Sequence, residues 1–494
     1  MSWNKKQSRE RIKAAWSETD GLVVQDLVRE TDLSGLGLKK AYRVDGVHVF
    51  ASIPNASTLL ETTDAEGELC HKRYLRFLNL YQRVTHVALG QTDAQKVDFQ
   101  NERLHFMLYK PYGDAEKRIA NAVVIADALQ RLVVQVNDLH DELPDAISRI
   151  GIETGKSLAV RNGTRGDREP LFLGDCVNHA AKLSVGTSAG IYLGHAARAV
   201  LGKDWAVDEP SKTRLTGKQI ADLYEKADIS LDVDKLVESY EEEKKESPLG
   251  EFKFFRPTPP LSNLDPDALA AAKTARIDST AFMADIDGFT DYVTERMEDT
   301  KKAAKAVRVL HVVRKELRDV LKDFEGRKIR YIGDCLQGVR ADGPKSTEEA
   351  ESVRNAVRCA GALRSSFDLV KEEISDAESL GLAIGLELGP VSITRLGIRS
   401  SKDRVLIGRA VIGAEDAQRS CSGTETKIGP LAFKAAEASV RAIFASNRKR
   451  ADLDYNTVEL ELELEEQKQK DEKRASLSKA IHEAPSSVPR AYAK

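Results

Sequence analysis

Phe282 to Val293 reads FMADIDGFTDYV, and much earlier Val49 to Leu60 reads VFASIPNASTLL. The two align without a gap, apolar residues mostly over apolar residues, yet Asp285 in the later copy faces Ser52 in the earlier one. Three more pairs follow in the same order at a spacing of about 230 residues. KIRYIGDCLQGV (Lys328 to Val339) matches KVDFQNERLHFM (Lys96 to Met107). GLAIGLELGPVSI (Gly381 to Ile393) matches ISRIGIETGKSLA (Ile147 to Ala159), and VLIGRAVIGAEDA (Val405 to Ala417) matches LFLGDCVNHAAKL (Leu171 to Leu183). Chance does not produce four collinear blocks, so the chain holds a duplicated domain.

Within each copy, short apolar strands alternate with segments of helical spacing, which predicts an α+β layer. STAFMADI has strand length, and Asp291 to Glu325 has helical period with Val307, Leu310, Val313, Leu317 and Leu321 on one face. KIRYIG and CLQGV form a hairpin about Asp334, and Ser346 to Glu373 is a second helix. LGLAIGLELGPVSITRLG reads as strand, Gly turn, strand. Its counterpart holds GIETGKS (Gly151 to Ser157), which lacks the first Gly of a phosphate-binding GxxxxGK[ST] loop and is read as a hairpin turn. The expected organisation is a helical extension at 1–36, a first domain at 37–258, a Pro-rich linker at 259–276, a second domain at 277–466 and a polar, disordered tail at 467–494. Leu231 to Glu246 is an insertion expected to be a solvated helix, and VELELELEE (Val458 to Glu466) alternates like a closing edge strand.

With 75 basic and 78 acidic residues among 494, the chain has no electrostatic footprint for nucleic acid or an acidic membrane. No apolar run approaches the ~18 residues of a membrane span. Five scattered cysteines without CxxC spacing read as reduced thiols, so a cytoplasmic protein without a zinc site is expected.

Asp285 ends a strand and Asp334 sits in a hairpin turn. Carboxylates at neighbouring strand tips suit Mg²⁺ or Mn²⁺, which take oxygen ligands and bound phosphate. GFT after the first Asp opens a helix, so Phe289 and Thr290 would offer amides to a triphosphate. FMADIDGFT and KIRYIGDCLQG resemble the two metal motifs of class III nucleotidyl cyclases, the adenylyl and guanylyl cyclase catalytic fold. That resemblance implies two ferredoxin-like domains paired head to tail, with active sites across their interface and two divalent ions per site. It assigns the metals to Asp285, Asp334 and the backbone carbonyl of Ile286. The family's Asn/Arg motif reads VNHAAKL in the first copy, so it assigns transition-state contacts to Asn178 and Lys182, where Lys keeps the charge but not the bidentate fork. The same positions elsewhere are Ser52, Ile53 and Glu102 for the metals, and Ile412 and Asp416 for the Asn/Arg pair. Each copy has thus kept one half of the chemistry, which predicts one complete composite site in a pseudo-dimer; pairing between two chains stays open.

The resemblance places base contacts at Phe50, Asp98 and Leu171, a set that fits neither the adenylyl nor the guanylyl pattern. A carboxylate at Asp98 accepts from an exocyclic amine, as in cytosine or a purine. Arg330-Tyr331 is similar to the Arg-Tyr feature of bacterial pyrimidine cyclases of antiphage defence, which make cyclic UMP or cyclic CMP with Mn²⁺ and signal to a cyclic-nucleotide-responsive effector; that likeness favours UTP. The alternatives are an adenylyl cyclase of the same mechanism and a dead nucleotide-binding regulator.

Overall fold

Each repeat folds about one long strand pair. A computed structural model describes residues 2–483, apart from 30, 32, 34, 35, 62–65, 163–168, 208–212, 344–348 and 399–400. In the first sheet the order is Gln95–Gln100, Arg103–Leu108, Lys40–Ser52, Arg149–Asn162, Glu169–Leu173. In the second it is Arg327–Ile332, Cys335–Arg340, Thr274–Asp287, Gly381–Ile398, Glu425–Ile428, Lys449–Ala451, with Ser401–Ile407 also pairing the Gly381–Ile398 strand. The registers reproduce the sequence match: Ala51 faces Leu104 and Ile150, and its counterpart Ala284 faces Leu336 and Ile384.

Helices cover one face of each sheet. Thr300–Asp323 buries Val307, Leu310, Val313, Leu317 and Leu321, the stripe its period predicts. The expected single helix from Asp291 is broken in two, Phe289–Thr294 and Thr300–Asp323, because Asp299 leaves helical geometry to cap the second by accepting from the Lys301 and Lys302 amides. Ala115–Asn137 is, among the described residues, the one helix long and apolar enough to cross a membrane. It is mostly buried here, with Val123, Leu129, Leu132 and Val136 inside the first domain.

The domains trade apolar arms head to tail. Leu158, Val160 and Leu173 of the first enter the core of the second, and Leu396, Val405 and Ile407 of the second enter the core of the first. The matched elements of the two domains therefore face each other across the interface in a pseudo-twofold arrangement.

Further sequence expectations change. The Val458 to Glu466 segment is no edge strand but part of the helix Tyr455–Glu483. Val458 and Leu462 are buried while Leu460 and Leu464 are exposed, a four-residue spacing set by packing on the Glu349–Glu373 helix. That helix also occupies 467–483 of the expected disordered tail, and 484–494 lie outside the described residues. The Gly turns are not turns, since Arg149–Asn162 and Gly381–Ile398 each run unbroken. A β-carbon at Gly155 would lie 3.0 Å from that of Cys176, so the glycine admits a helix close to the strand. The insertion helix Val233–Glu246 is packed, burying Val233, Leu236 and Tyr240. The linker is also ordered against the second domain, with Leu261 buried beside Ile329 and Val339.

The extension joins both halves. Helix Lys5–Glu18 lies on the second domain, where Arg11 donates to Glu316 (2.8 Å) and Asp323 (2.5 Å). Val23–Asp26 then adds a parallel strand to the first sheet.

Candidate active site

An interdomain cleft of about 660 Å³ gathers nearly every residue the sequence singled out. From the second domain come Asp285, Ile286, Phe289, Thr290 and Asp334; from the first come Phe50, Leu171, Asn178 and Lys182. Asp285 and Ile286 stand near the end of Thr274–Asp287, and Asp334 follows Gly333 in the tight turn between Arg327–Ile332 and Cys335–Arg340. Gly333 takes φ +62°, which lets the turn reverse in two residues.

The two carboxylates repel. Burial, then the neighbouring Asp287, raises Asp285 to about 6. Burial, then Asp285 itself, pushes Asp334 well above the usual carboxylate range. Gln418 Nε2, at 3.4 Å, is the hydrogen-bond donor to Asp285. Like charges brought together with few donors to relieve them suit a cation. Among the described residues no three His, Cys, Asp or Glu side chains converge to form a metal cage. The donor set that fits is therefore two carboxylates with a backbone carbonyl, such as that of Ile286, leaving remaining positions to phosphate oxygens and water. Asp287, the last residue of the Thr274–Asp287 strand, accepts from the Gly423 amide at 2.8 Å.

Across the cleft, helix Asp175–Leu183 carries Asn178 and Lys182 one turn apart, on one face. Asn178 Nδ2 donates to Thr290 Oγ1, so the side chain reaches the opposite domain. Lys182 is exposed and forms no ion pair among the described residues. Phe289 lines the cleft, but its ring is buried against Tyr292 at 6.0 Å.

Asp98 is the exception. It is not in the cleft wall: its carboxylate is taken by the Arg330 guanidinium of the other domain, with the Phe99 amide at 2.8 Å and Gln100 Nε2 at 3.1 Å. Arg330 and Asp98 occupy equivalent places in the two hairpins, so the pseudo-twofold brings them together. Gln100, Arg103 and His105 line the cleft where Asp98 was expected. Strand period marks these positions, since Gln100 lies two beyond Asp98 on the same face.

Residues 273–414 match the family described as the Adenylate and Guanylate cyclase catalytic domain. The chain is similar to a uridylate cyclase from Pseudomonas aeruginosa, 43% identical over 92% of this chain and 90% of the relative. It is 34% identical to a uridylate cyclase from a Rhizobium species, over 82% of this chain and 81% of that one. A crystal structure of a class III adenylyl cyclase-like ATP-binding protein from Pseudomonas aeruginosa superposes with a TM-score of 0.88 at 42% identity, covering 94% of this chain and all of that one. Because the likeness extends through the half that lost its aspartates as well as the half that kept them, the chain belongs to the class III nucleotidyl cyclases.

Proposed function

We propose that the chain cyclises a pyrimidine nucleoside triphosphate, UTP before CTP, to the 3′,5′-cyclic monophosphate and pyrophosphate. The observation that carries this is the convergence of two complementary half-sites on one cleft: Asp285 and Asp334 from one domain, Asn178 and Lys182 from the other. The base assignment leans on the two relatives named uridylate cyclase. Two divalent ions, Mn²⁺ or Mg²⁺, held by Asp285, Asp334 and the Ile286 carbonyl, supply charge neutralisation and lower the pKa of the ribose 3′-hydroxyl when bound. The 3′-oxygen forms a bond to the α-phosphorus as its proton leaves, and the bond to the β-phosphate oxygen breaks, releasing pyrophosphate. Asn178 donates to the ribose or α-phosphate region, and Lys182 offers its ammonium to charge that grows on the phosphoryl oxygens. Phe289 and Thr290 border the triphosphate, and Phe50 and Leu171 face the base. The internal pseudo-dimer supplies both halves of the site, so no second copy is needed to complete it.

Purified protein is incubated with each of UTP, CTP, ATP and GTP plus Mn²⁺ or Mg²⁺, and pyrophosphate release and product mass are followed. Cyclic UMP as the main product is expected. No turnover of any nucleotide overturns the enzyme reading. A second reading, ATP as substrate, is favoured by the crystallised neighbour described as ATP-binding, and preference for ATP would establish it in place of the first. In the cytoplasm the product would act on a cyclic-nucleotide-responsive effector in antiphage signalling. Loss of phage protection in cells carrying Asp285→Ala is the test of that role.

A further inference from the structure

The Gln95–Gln100 strand holds the least expected feature of the cleft. A carboxylate accepts hydrogen bonds and donates none, so the amide nitrogen of Gln100 must be the atom that faces Asp98. Oε1 is thereby turned the other way, on a side chain that lines the cleft, and has no partner among the described residues. Asp98 is itself fixed, because Arg330, nearly fully buried, donates to it while also donating to the Phe99 carbonyl (2.7 Å) and the Arg404 carbonyl (3.0 Å). Asn101 Nδ2 donates to the Leu406 carbonyl at 2.9 Å, and Lys96 pairs with Asp403 at 2.6 Å. The hairpin that bears Gln100 is thus pinned to the opposite domain on both sides of it.

Beside Gln100, Arg103 spends its Nε on Ser52 Oγ at 3.3 Å and presents the rest of its guanidinium to the same cleft. The wall therefore offers a fixed acceptor with a strong donor next to it. Phe50 and His105 stack at 4.1 Å with their planes 12° apart, giving a flat apolar flank. Burial depresses His105 to about 3, so this flank stays neutral at working pH.

Resting on the proposed cyclase reading, we infer that Gln100 is the residue that reads the base, its Oε1 accepting from uracil N3–H while Arg103 donates to a flanking carbonyl oxygen. Asp98 and Arg330 are positioning residues that fix the direction of the amide. Uracil presents N3–H between two carbonyls, which matches an acceptor beside a donor. Cytosine presents a lone pair at N3, which would face the Gln100 oxygen unpaired. This explains how a chain with a carboxylate at Asp98 can select a base that has no exocyclic amine: the carboxylate acts on the base through the amide.

The test uses the full chain with UTP, CTP and N3-methyl-UTP, which lacks the N3 proton. Wild type is expected to favour UTP over each of the other two by about 10- to 100-fold in kcat/KM. Gln100→Ala should bring both ratios to within about 3-fold of unity, mainly by raising KM for UTP, because the contact is made equally in ground and transition states. Asp98→Asn frees the amide to rotate and should reduce the UTP preference, with Asp98→Glu restoring part of it. A merely structural role would lower turnover for all three nucleotides alike and leave the ratios unchanged, which overturns the inference, as does a wild-type preference for CTP. If Asp98→Asn fails to fold because Arg330 loses its partner, Gln100→Ala still decides. If wild type turns over no nucleotide, the proposed function falls, and calorimetric binding of the same three nucleotides to wild type and Gln100→Ala still tests the base contact.

Discussion

The two half-sites of the interface are built from matched strands and helices and carry different groups. On one side Asp285 and Asp334 stand together, Asp285 raised by burial and Asp287 and Asp334 by burial and Asp285, with Asn178 and Lys182 across from them. On the other side the equivalents are Ser52, Glu102, Ile412 and Asp416, where a single buried carboxylate, raised by burial and by Glu415, replaces the pair. Ser52 Oγ donates to Ser184 Oγ at 3.2 Å, Tyr74 donates to Glu102 at 3.3 Å, and Ile412 packs against the first domain's core. Near the same interface the Glu66 carboxylate accepts from the Arg409 amide at 2.7 Å and from His71 at 2.9 Å. His71 also meets Ser392 at 2.6 Å, an order reminiscent of a Ser-His-acid relay, but Ser392 is fully buried and no substrate can reach it. The difference teaches where a cation pair fits: one side keeps two buried aspartates together, and the other replaces them with a serine and a glutamate that accepts from Tyr74.

The strongest way to break this comparison is to remove one group from each side. Asp285→Ala and Asn178→Ala should each lower turnover by about 10³-fold or more, the scale of losing a metal ligand or a donor to the transition state. Ile412→Ala should leave turnover within about 2-fold. Equal activity in Asp285→Ala, or loss in Ile412→Ala, would reverse the assignment of the two half-sites.

A pair of glycines sharpens it further. Gly151 and Gly385 are equivalent, and a β-carbon there would lie 2.2 Å from the Ala180 carbonyl oxygen and 2.1 Å from that of Ala414. Each admits a helix onto its strand: Asp175–Leu183 with Asn178 and Lys182, or Arg409–Arg419 with Ile412 and Asp416. Gly→Ala at either should cost a similar ~1–3 kcal/mol in denaturant unfolding, because each overpacks the same contact. Turnover should fall about 10-fold or more only for Gly151→Ala, since a displacement near 1 Å of catalytic groups carries that much rate. Equal losses would mean that Gln418, on the second helix, contributes as much through Asp285 as Asn178 does directly.

What the sequence made legible follows from duplication. Two copies fix each other's register, so the four matched blocks become paired strands with Ala51 and Ala284 in equivalent places. Loss of Asp at Ser52 beside retention of Asn178 then pointed to a shared site. The misreadings have physical causes of two kinds. VELELELEE satisfies a strand period and a helix period at once, and only packing against Glu349–Glu373 decides; Arg358 there pairs with Glu459 at 2.8 Å. Asp98 looked like a base contact because nothing in one hairpin reveals that Arg330, in the other, will neutralise it across the pseudo-twofold. Interface partners are set by domain pairing, and no local pattern encodes them.

A smaller effect separates stability from activity at the same atom. Holding Asp285 ionised beside Asp334 costs the metal-free protein free energy, because burial and repulsion raise its pKa from 3.8 to about 6. The sign follows from that shift: the ionised carboxylate is less favourable in the folded state than in the unfolded chain, so the penalty is present above pH 6 and fades as pH falls below it. Asp285→Asn should therefore gain up to about 3 kcal/mol of stability at pH 7.5 in denaturant unfolding while losing turnover. Unchanged or lower stability would show that the two carboxylates are relieved by neighbours more fully than their surroundings indicate.

The finest distinction concerns charge at the ends of the two matched helices. Lys182 in the cleft and Asp416 in the other domain sit at the same helical position, and both are exposed. A guanidinium at 182 would add a planar pair of donors without changing charge, so Lys182→Arg should alter turnover by no more than about 5-fold. Its direction is informative: a gain means the ammonium falls short of a bidentate contact, and a loss means the cleft is shaped to a point charge. Lys182→Asp should cost about 10²-fold or more by placing a carboxylate against phosphate, whereas Asp416→Lys should leave kcat/KM unchanged within about 2-fold. Measured at two ionic strengths, any residual effect of Asp416→Lys that disappears in high salt is long-range steering of the anionic nucleotide. An effect that survives salt would mean the Asp416 side of the interface still touches nucleotide, and the division of labour between the two copies would have to be redrawn.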